Sequence, residues 1–125
     1  MKTSIVGLAL ILFTAVLAQD QYVEELRAAR SHLEKILIND HVKQQHLNVI
    51  SNYVVLLALE ELSWYEMHVP DKEKKESSIQ WSKSYEALQK QPSGYEGGSA
   101  NCFIRNIRSL GFIEKRIADL KKMLQ

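Results

Sequence analysis

The sequence predicts an all-α protein: a compact antiparallel bundle of about four helices with no intramolecular disulfide bond. Three observations lead to this prediction. Apolar residues recur every three or four positions along most of the chain, which is the period of a helical face. Proline and glycine are concentrated between these stretches, where they mark helix ends. The chain has one cysteine, Cys102, so helix packing alone must stabilise a fold of this size.

The first 18 residues are predicted to be a secretory signal peptide. Lys2 provides a positive start, an apolar core covers 5–17, and Val16 and Ala18 suit the −3 and −1 positions of a cleavage site. The apolar run is too short to cross a membrane, which takes about 20 residues. We therefore expect cleavage after Ala18, so that 19–125 is a single secreted, extracellular helical domain without a membrane span.

The mature chain has no net formal charge, because loss of Lys2 leaves 15 basic and 15 acidic side chains. Nucleic acids and anionic membranes bind proteins with a strong basic excess, so neither is expected as a partner. The charge is unevenly distributed: 19–69 has eight acids and four bases, whereas 100–125 has six bases and two acids. This asymmetry either attracts the helices to one another or gives the last helix a basic face for an acidic protein partner.

The first helix is predicted over 22–37. Its apolar positions have the spacing of one helical face: Tyr22, Leu26, Ala29, Leu33, Ile36 and Leu37. Asn39-Asp40 follows as a stop and as the N-cap of the next helix. An unbroken helix over 22–68 would be about 70 Å long, more than any partner in this chain could cover.

The second helix is predicted from about His41 to Met67 and is the most apolar. Between 49 and 59 only one serine and one asparagine are polar. A helix that is apolar on nearly all sides is buried in the core, so we expect it to be the central helix of the bundle. Pro70 ends it, because the residue before a proline is disfavoured in helical conformation.

The third helix is less sharply defined at its start. The charged residues 71–78 form either an exposed loop or its first turns, capped by Asp71. The more regular part runs from Ser78 to Gln89. Its face consists of Trp81, Tyr85 and Leu88, with Ile79 beside them.

The last helix has the clearest apolar seam of the chain. It follows a loop over 91–99 that is rich in proline and glycine, and Ser99 or Asn101 is predicted to cap it. The seam consists of Phe103, Ile107, Leu110, Ile113, Ile117, Leu120 and Leu124. Gly111 within this helix either costs about 1 kcal/mol relative to alanine or permits a close helix crossing.

No catalytic, metal-binding or cofactor motif is recognisable. The nucleophile elbow, the P-loop and the dinucleotide fingerprint are all absent from the sequence. His41 and His46 are five positions apart and do not share a helical face, so no metal site is expected. Glu60 and Glu61 point in different directions around a helix and do not form a pair of catalytic carboxylates. We therefore expect a protein that is not an enzyme and has no cofactor.

Cys102 has three interpretations in a secreted chain. It is a small buried apolar residue, it forms an intermolecular disulfide that links a homodimer, or it is a free thiol. Burial is favoured, because free cysteine is among the most buried residue types.

Five residues are predicted to bind a protein partner. Tyr95 lies in the glycine-rich loop, Arg105 and Arg108 lie on the basic side of the last helix, and Trp64 and Tyr65 lie at what is expected to be an exposed end. Tyr, Trp and Arg are enriched among residues that dominate binding energy. Tryptophan and tyrosine are also ordinary core residues, and this alternative is favoured for Trp81 and Tyr85.

Three short stretches give the chain an overall profile: a signal that ends Val16-Leu-Ala18, an acidic helix that opens Gln21-Tyr-Val-Glu-Glu25, and a last helix that opens Asn101-Cys-Phe103. In this profile the chain resembles the small helical salivary proteins of blood-feeding mosquitoes, of the anophensin and albicin type. The resemblance covers the mature chain in outline. It implies a salivary inhibitor of host complement (alternative pathway) or of contact coagulation that acts by protein–protein binding.

Two other kinds of secreted protein share this build. One is a carrier of a lipid or small apolar ligand between the helices, which needs core volume left unfilled. The large side chains of Trp64, Trp81, Phe103 and Phe112 instead predict a filled core. The other is a seminal-fluid type of secreted insect protein, which the sequence does not distinguish from a salivary one.

Overall fold

Four helices make up the described part of the chain. The computed structural model describes residues 21–39, 41–94 and 96–124. In chain order these contain α1 over 21–37, α2 over Gln44–His68, α3 over Asp71–Lys90 and α4 over Asn101–Leu124. No strand occurs in these residues, and the predicted all-α bundle is confirmed. The predicted signal peptide, Asp40 and Tyr95 lie outside the described residues.

A break separates α1 from α2 at the predicted place. α1 ends at residue 37, and Asn39 Oδ1 then accepts a hydrogen bond from the backbone N–H of His41 at 2.9 Å, a turn that asparagine favours. α2 begins at Gln44, later than expected, with Lys43 at its N-cap and no side-chain cap hydrogen bond. The prediction that Asn39 or its neighbour caps α2 is therefore wrong, because the chain turns again before the helix starts.

α2 and α3 meet at a sharp corner. The backbone N–H of Val69 donates to the carbonyl of Tyr65 at 2.9 Å, and Pro70 is the N-cap residue of α3. The charged residues 71–78 are helical, so they form the first turns of α3 and not a loop. Asp71 lies inside the helix and does not cap it. Its carboxylate still stabilises the start of α3 by interacting with the positive end of the helix dipole.

α2 and α4 pack against each other, and α4 also packs against α3. α1 lies on α2, where Arg27 and Arg30 approach Glu61. The buried apolar side chains come from α1, α2, α4 and the connection after α2, and none comes from α3: Val23, Val54, Val55, Ala58, Leu62, Tyr65, Val69, Leu110, Ile113, Ile117 and Leu120. α3 adds partly buried side chains, among them Trp81 and Tyr85.

α2 is buried on one side only. Val54 and Ala58 are completely buried, whereas Val49 and Tyr53 are 55% and 57% exposed. The prediction that α2 is covered on nearly all sides is therefore wrong. α1 and α4 cover one side of it, and the apolar side chains on the other side remain in solvent.

The predicted face of α1 is confirmed at Leu26, Leu33, Ile36 and Leu37, which are partly buried, and is wrong at its other two positions. Val23 is buried, whereas Tyr22 is 43% exposed and Ala29 is exposed. Arg27 and Arg30 occupy inward positions instead. The predicted face counted apolar residues alone, and it missed these two arginines.

The middle of the α4 seam is confirmed. Its buried side chains are Leu110, Ile113, Ile117 and Leu120. Towards the two ends of the seam the side chains are partly exposed, with Ile107 at 41% and Leu124 at 42%. A Cβ atom added at Gly111 would meet no atom within 4 Å. Of the two alternatives for this glycine, the close helix crossing is therefore wrong.

Trp64, Trp81, Phe103 and Phe112 are only partly buried and lie around the core. Trp81 stacks on Tyr85 and on Phe112, with ring centroids 4.9 and 5.6 Å apart, and this stack joins α3 to α4. Phe103 is half-buried. The buried core consists of aliphatic side chains and Tyr65, and Trp64 and Trp81 pack against it.

Cys102 is exposed. The favoured interpretation, a buried apolar residue, is therefore wrong, and the intermolecular disulfide and the free thiol remain as predictions. Across the described helices, none is long and apolar enough to span a membrane.

Candidate functional site

The two arginines predicted to bind a partner tie α4 to the preceding connection. Arg105 Nη2 donates to the carbonyl of Gln89. Arg108 donates from Nη1 to the carbonyl of Gln91 at 3.4 Å and from Nη2 to that of Pro92 at 3.2 Å. Their guanidinium groups therefore have an internal structural role. Tyr95, the third residue of this predicted surface, lies outside the described residues.

Trp64 and Tyr65 lie against α1 and not at an exposed end. Tyr65 is only 4% exposed, so its predicted exposure is wrong. Trp64 is half-buried, and its ring stacks on His68 with centroids 4.1 Å apart. An open pocket of about 440 Å³ borders both residues. Its lining combines apolar, acidic and basic side chains: Val23, Glu24, Arg27, Trp64, Tyr65, Lys121 and Leu124.

A buried carboxylate holds α1 on α2. The side chain of Glu61 is 1% exposed; its Oε2 accepts a hydrogen bond from Arg27 Nε at 3.0 Å, and its Oε1 lies 3.1 Å from Arg30 Nη2. Arg27 also donates from Nη2 to the hydroxyl of Tyr65 at 2.5 Å. The hydrogen bond from Arg27 and the ion pair with Arg30 both connect α1 to this one side chain of α2. This arrangement gives Glu61 a structural role.

The Tyr65 hydroxyl belongs to the same cluster. Burial raises its pKa above the ordinary value of 10.0, and the positive charge of Arg27 opposes part of that rise. The hydroxyl is therefore protonated at neutral pH and available as the acceptor for Arg27.

A second buried charge attaches α3 to the rest of the bundle. Arg116 on α4 is 3% exposed and donates to Ser77 Oγ at 3.1 Å and to Ser78 Oγ at 2.6 Å. Ser78 in turn donates to Glu66 Oε2 at 3.1 Å, and Arg116 Nε lies 3.5 Å from Glu66 Oε1. Since α3 has no fully buried residue, these polar contacts and the aromatic stack fix its position.

The start of α4 is stabilised by a side chain from α2. Asn48 Oδ1 accepts a hydrogen bond from the backbone N–H of Phe103 at 3.1 Å, and its Nδ2 donates to the carbonyl of Ser99 at 2.9 Å. Asn106 Nδ2 donates to Ser51 Oγ at 2.9 Å in the same region. Sequence reasoning looked for the cap in Ser99 or Asn101 and missed Asn48, which lies 55 positions before the amide that it accepts.

The described histidine and carboxylate side chains do not converge on a metal site. Within residues 21–39, 41–94 and 96–124, no group of three or more His, Cys, Asp or Glu side chains could hold a metal ion. His68 Nδ1 lies 2.7 Å from the carbonyl of Trp64, four residues earlier on α2.

The uncovered side of α2 is an exposed, mainly apolar surface of the described residues. We call it the outer face, and it consists of residues at intervals of four and three: Val49, Tyr53, Leu56, Glu60, Ser63 and Met67. All six are exposed. Four of them are apolar or aromatic, and Leu56 and Met67 are 49% and 78% exposed. A shallow groove of about 350 Å³ runs along it, with Leu57 and Leu59 also in its lining.

The charge at the outer face is acidic. α2 contains three glutamates and no lysine or arginine between Gln44 and His68. Glu61 and Glu66 are paired with arginines of α1 and α4, so Glu60 is the charge presented on the outer face. Tyr22 of α1 donates to Glu60 Oε2 at 3.0 Å, and this bond, more than burial, raises the pKa of the Tyr22 hydroxyl above its ordinary value. Tyr22 therefore extends the face by a further, partly exposed ring.

The comparisons with known proteins found no match: no family model, no curated protein and no solved structure is significantly similar to this chain.

Proposed function

We propose that this chain is a secreted, non-enzymatic protein that acts by binding another extracellular protein, as a salivary inhibitor of host complement (alternative pathway) or of contact coagulation. The observation that supports it is the outer face of α2, where Val49, Tyr53 and Leu56 are each about half exposed. Contiguous exposed apolar surface on a small soluble protein usually marks an interaction site. The resemblance to mosquito salivary proteins suggests the class of target.

Binding at this face would bury apolar surface that folding leaves in water. Each Å² of apolar surface that is buried contributes about 25 cal/mol. A stable interface covers about 800 Å² on each partner, which is more than one stripe of side chains provides. The neighbours Leu57, Leu59, Met67 and Tyr22 therefore belong to the proposed contact area. Tyr53 lies near its centre, where aromatic residues contribute most to binding.

The test compares three forms of the protein, each produced by expressing the full reading frame in insect cells. Inhibition is measured in human serum as alternative-pathway lysis of erythrocytes, and in human plasma as surface-induced contact activation. We expect Tyr53→Ser/Leu56→Ser to lose at least about tenfold in potency, which corresponds to 1.4 kcal/mol of binding energy. Ile79→Ser on α3 is the matched control, because Ile79 is 50% exposed and is not one of the outer-face residues.

Two further variants distinguish the outer face of α2 from the surface on α4 that the sequence predicted. Arg105→Ala/Arg108→Ala and Tyr95→Ala probe the side of α4 that the sequence predicted. Inhibition that survives the double serine substitution but is lost in these variants would move the binding surface to α4. A correctly folded protein that inhibits neither cascade would contradict the proposed target class. Unchanged thermal unfolding in circular dichroism shows that each variant is folded.

A further inference from the structure

We infer that the partner presents an amphipathic helix with basic residues beside its apolar stripe, and that this helix docks lengthwise on the outer face of α2. The inference rests on the proposed function and specifies the chemistry of its partner. It is based on the spacing of the apolar residues and on the sign of the charge next to them.

The spacing of the outer face suits a helix. Val49, Tyr53 and Leu56 are separated by four and three residues, and the same intervals continue to Glu60, Ser63 and Met67. This is the i, i+4, i+7 pattern with which one helix packs along another. With a rise of 1.5 Å per residue, the apolar part from 49 to 56 is about 10 Å long, and Glu60 lies about 6 Å further along.

The charge of the outer face favours a cationic partner. α2 has no lysine or arginine that could neutralise Glu60, and the hydroxyl of Tyr22 donates to this carboxylate without cancelling its charge. Glu25 is exposed on α1, one turn after Tyr22. A lysine or arginine one turn beyond the apolar stripe of the docking helix would meet Glu60, and complementary charge both speeds association and selects the partner.

The same charge pattern disfavours a second copy of the chain. If α2 packed antiparallel on itself, Tyr53 and Leu56 would meet across the symmetry axis, and Glu60 would then lie opposite Val49 of the partner copy. That arrangement would bury a carboxylate against an aliphatic side chain without a counter-charge, which is costly. An anionic lipid surface would meet the same negative charge.

The test uses two synthetic helical peptides of about 18 residues, a length at which a helix-forming sequence is partly ordered. Both have a leucine stripe at intervals of four and three; one has lysines beside the stripe and the other has glutamates at the same positions. Affinity for the full chain is measured by fluorescence anisotropy. We expect the lysine peptide to bind at least tenfold more tightly than the glutamate peptide. We expect Glu60→Lys to reverse this preference. We expect Tyr53→Ser/Leu56→Ser to lower the affinity for the lysine peptide at least tenfold. Ile79→Ser should bind as the wild type does.

Four results would overturn the inference. The first two are equal affinity for the two peptides and a peptide preference that Glu60→Lys leaves unchanged. The third is a dimer in sedimentation equilibrium that Tyr53→Ser/Leu56→Ser dissociates. The fourth is association with phosphatidylcholine–phosphatidylserine vesicles that depends on Tyr53 and Leu56. If inhibition depends on Tyr53 and Leu56 while the peptides are not distinguished, the proposed function stands and the helical cationic partner does not. If the peptides behave as expected while inhibition is unaffected by the double serine variant, the proposed function fails instead.

Discussion

Replacing Glu61 by glutamine removes the buried charge that joins α1 to α2 and leaves the side-chain volume almost unchanged. Arg27 and Arg30 then lose their common counter-charge inside the bundle. Removing one partner of a fully buried ion pair usually costs 3–5 kcal/mol, so roughly that range is the upper limit here. The actual cost should be lower, because the arginine side chains are 28% and 14% exposed and Arg27 keeps Glu24 at 2.9 Å.

We therefore expect Glu61→Gln to lower the free energy of unfolding by about 2–3 kcal/mol. In a domain of this size that corresponds to a fall in Tm of roughly 10 °C. The measurement is urea unfolding followed by circular dichroism. Glu60→Gln is the matched control: it makes the same chemical change one residue earlier, on the exposed side of α2, and should change stability by less than about 0.5 kcal/mol.

A double-mutant cycle with Arg30→Met tests whether the cost comes from the ion pair. With Arg30 replaced, the effect of Glu61→Gln should shrink by about 1 kcal/mol or more, because fewer buried charges are left unpaired. Equal effects of the Glu60 and Glu61 substitutions would refute the reasoning, and so would a Glu61→Gln variant as stable as the wild type.

Three further predictions concern single side chains. Gly111→Ala should stabilise the protein by about 0.5–1 kcal/mol in urea unfolding, because the new methyl group meets only open space on a helix; destabilisation would contradict the described packing. Asn48→Ala should cost about 1–2 kcal/mol through loss of the cap on α4, whereas the exposed Asn52→Ala should cost less than about 0.5 kcal/mol; equal costs would refute the capping role. The raised pKa of Tyr65 means that the folded state holds the hydroxyl proton more tightly than the unfolded state does. The stability that this protonated hydroxyl contributes is therefore complete below pH 10 and is lost as the pH rises further. Tyr65→Phe should therefore show a smaller loss of stability above pH 10 than the wild type, and an identical loss would argue against the buried hydroxyl.

The helices could be predicted from the sequence because their signals are local. Leu110, Ile113, Ile117 and Leu120 recur with helical spacing, and all are buried. The break after α1 and the end of α2 before Pro70 depend on residues within a few positions of the boundary. Such features require no knowledge of which helix packs on which.

The packing could not be predicted because it depends on distant partners. Apolar residues on α2 show what could be buried, but Tyr53 and Leu56 remain exposed because no described helix covers that side. Glu61 and Arg30 look like solvated surface residues in the sequence, and only their approach at 3.1 Å makes them part of the interior. Asn48 reaches an amide 55 positions away, so local capping rules could not find it.

The candidate site in the structure differs from the predicted one, again because side-chain exposure depends on distant partners. Arg105 was predicted to bind a partner from the basic side of the last helix, and in the structure it donates to a carbonyl of α3. Tyr65 was predicted to be exposed, and it is buried beneath α1. The outer face was visible in the sequence only as an excess of apolar residues on α2, which was interpreted as core.

The most direct test of the proposal that function resides on the outer face of α2 is hydroxyl-radical footprinting of the protein, free and in inhibited serum or plasma, with mass spectrometry of the modified side chains. Tyr53 and Met67 are exposed in the free protein, so both should be oxidised readily there. The proposal predicts that the partner protects both side chains and leaves Ile79 on α3 as reactive as before. Protection confined to α4 around Arg105, with Tyr53 and Met67 unchanged, would contradict it.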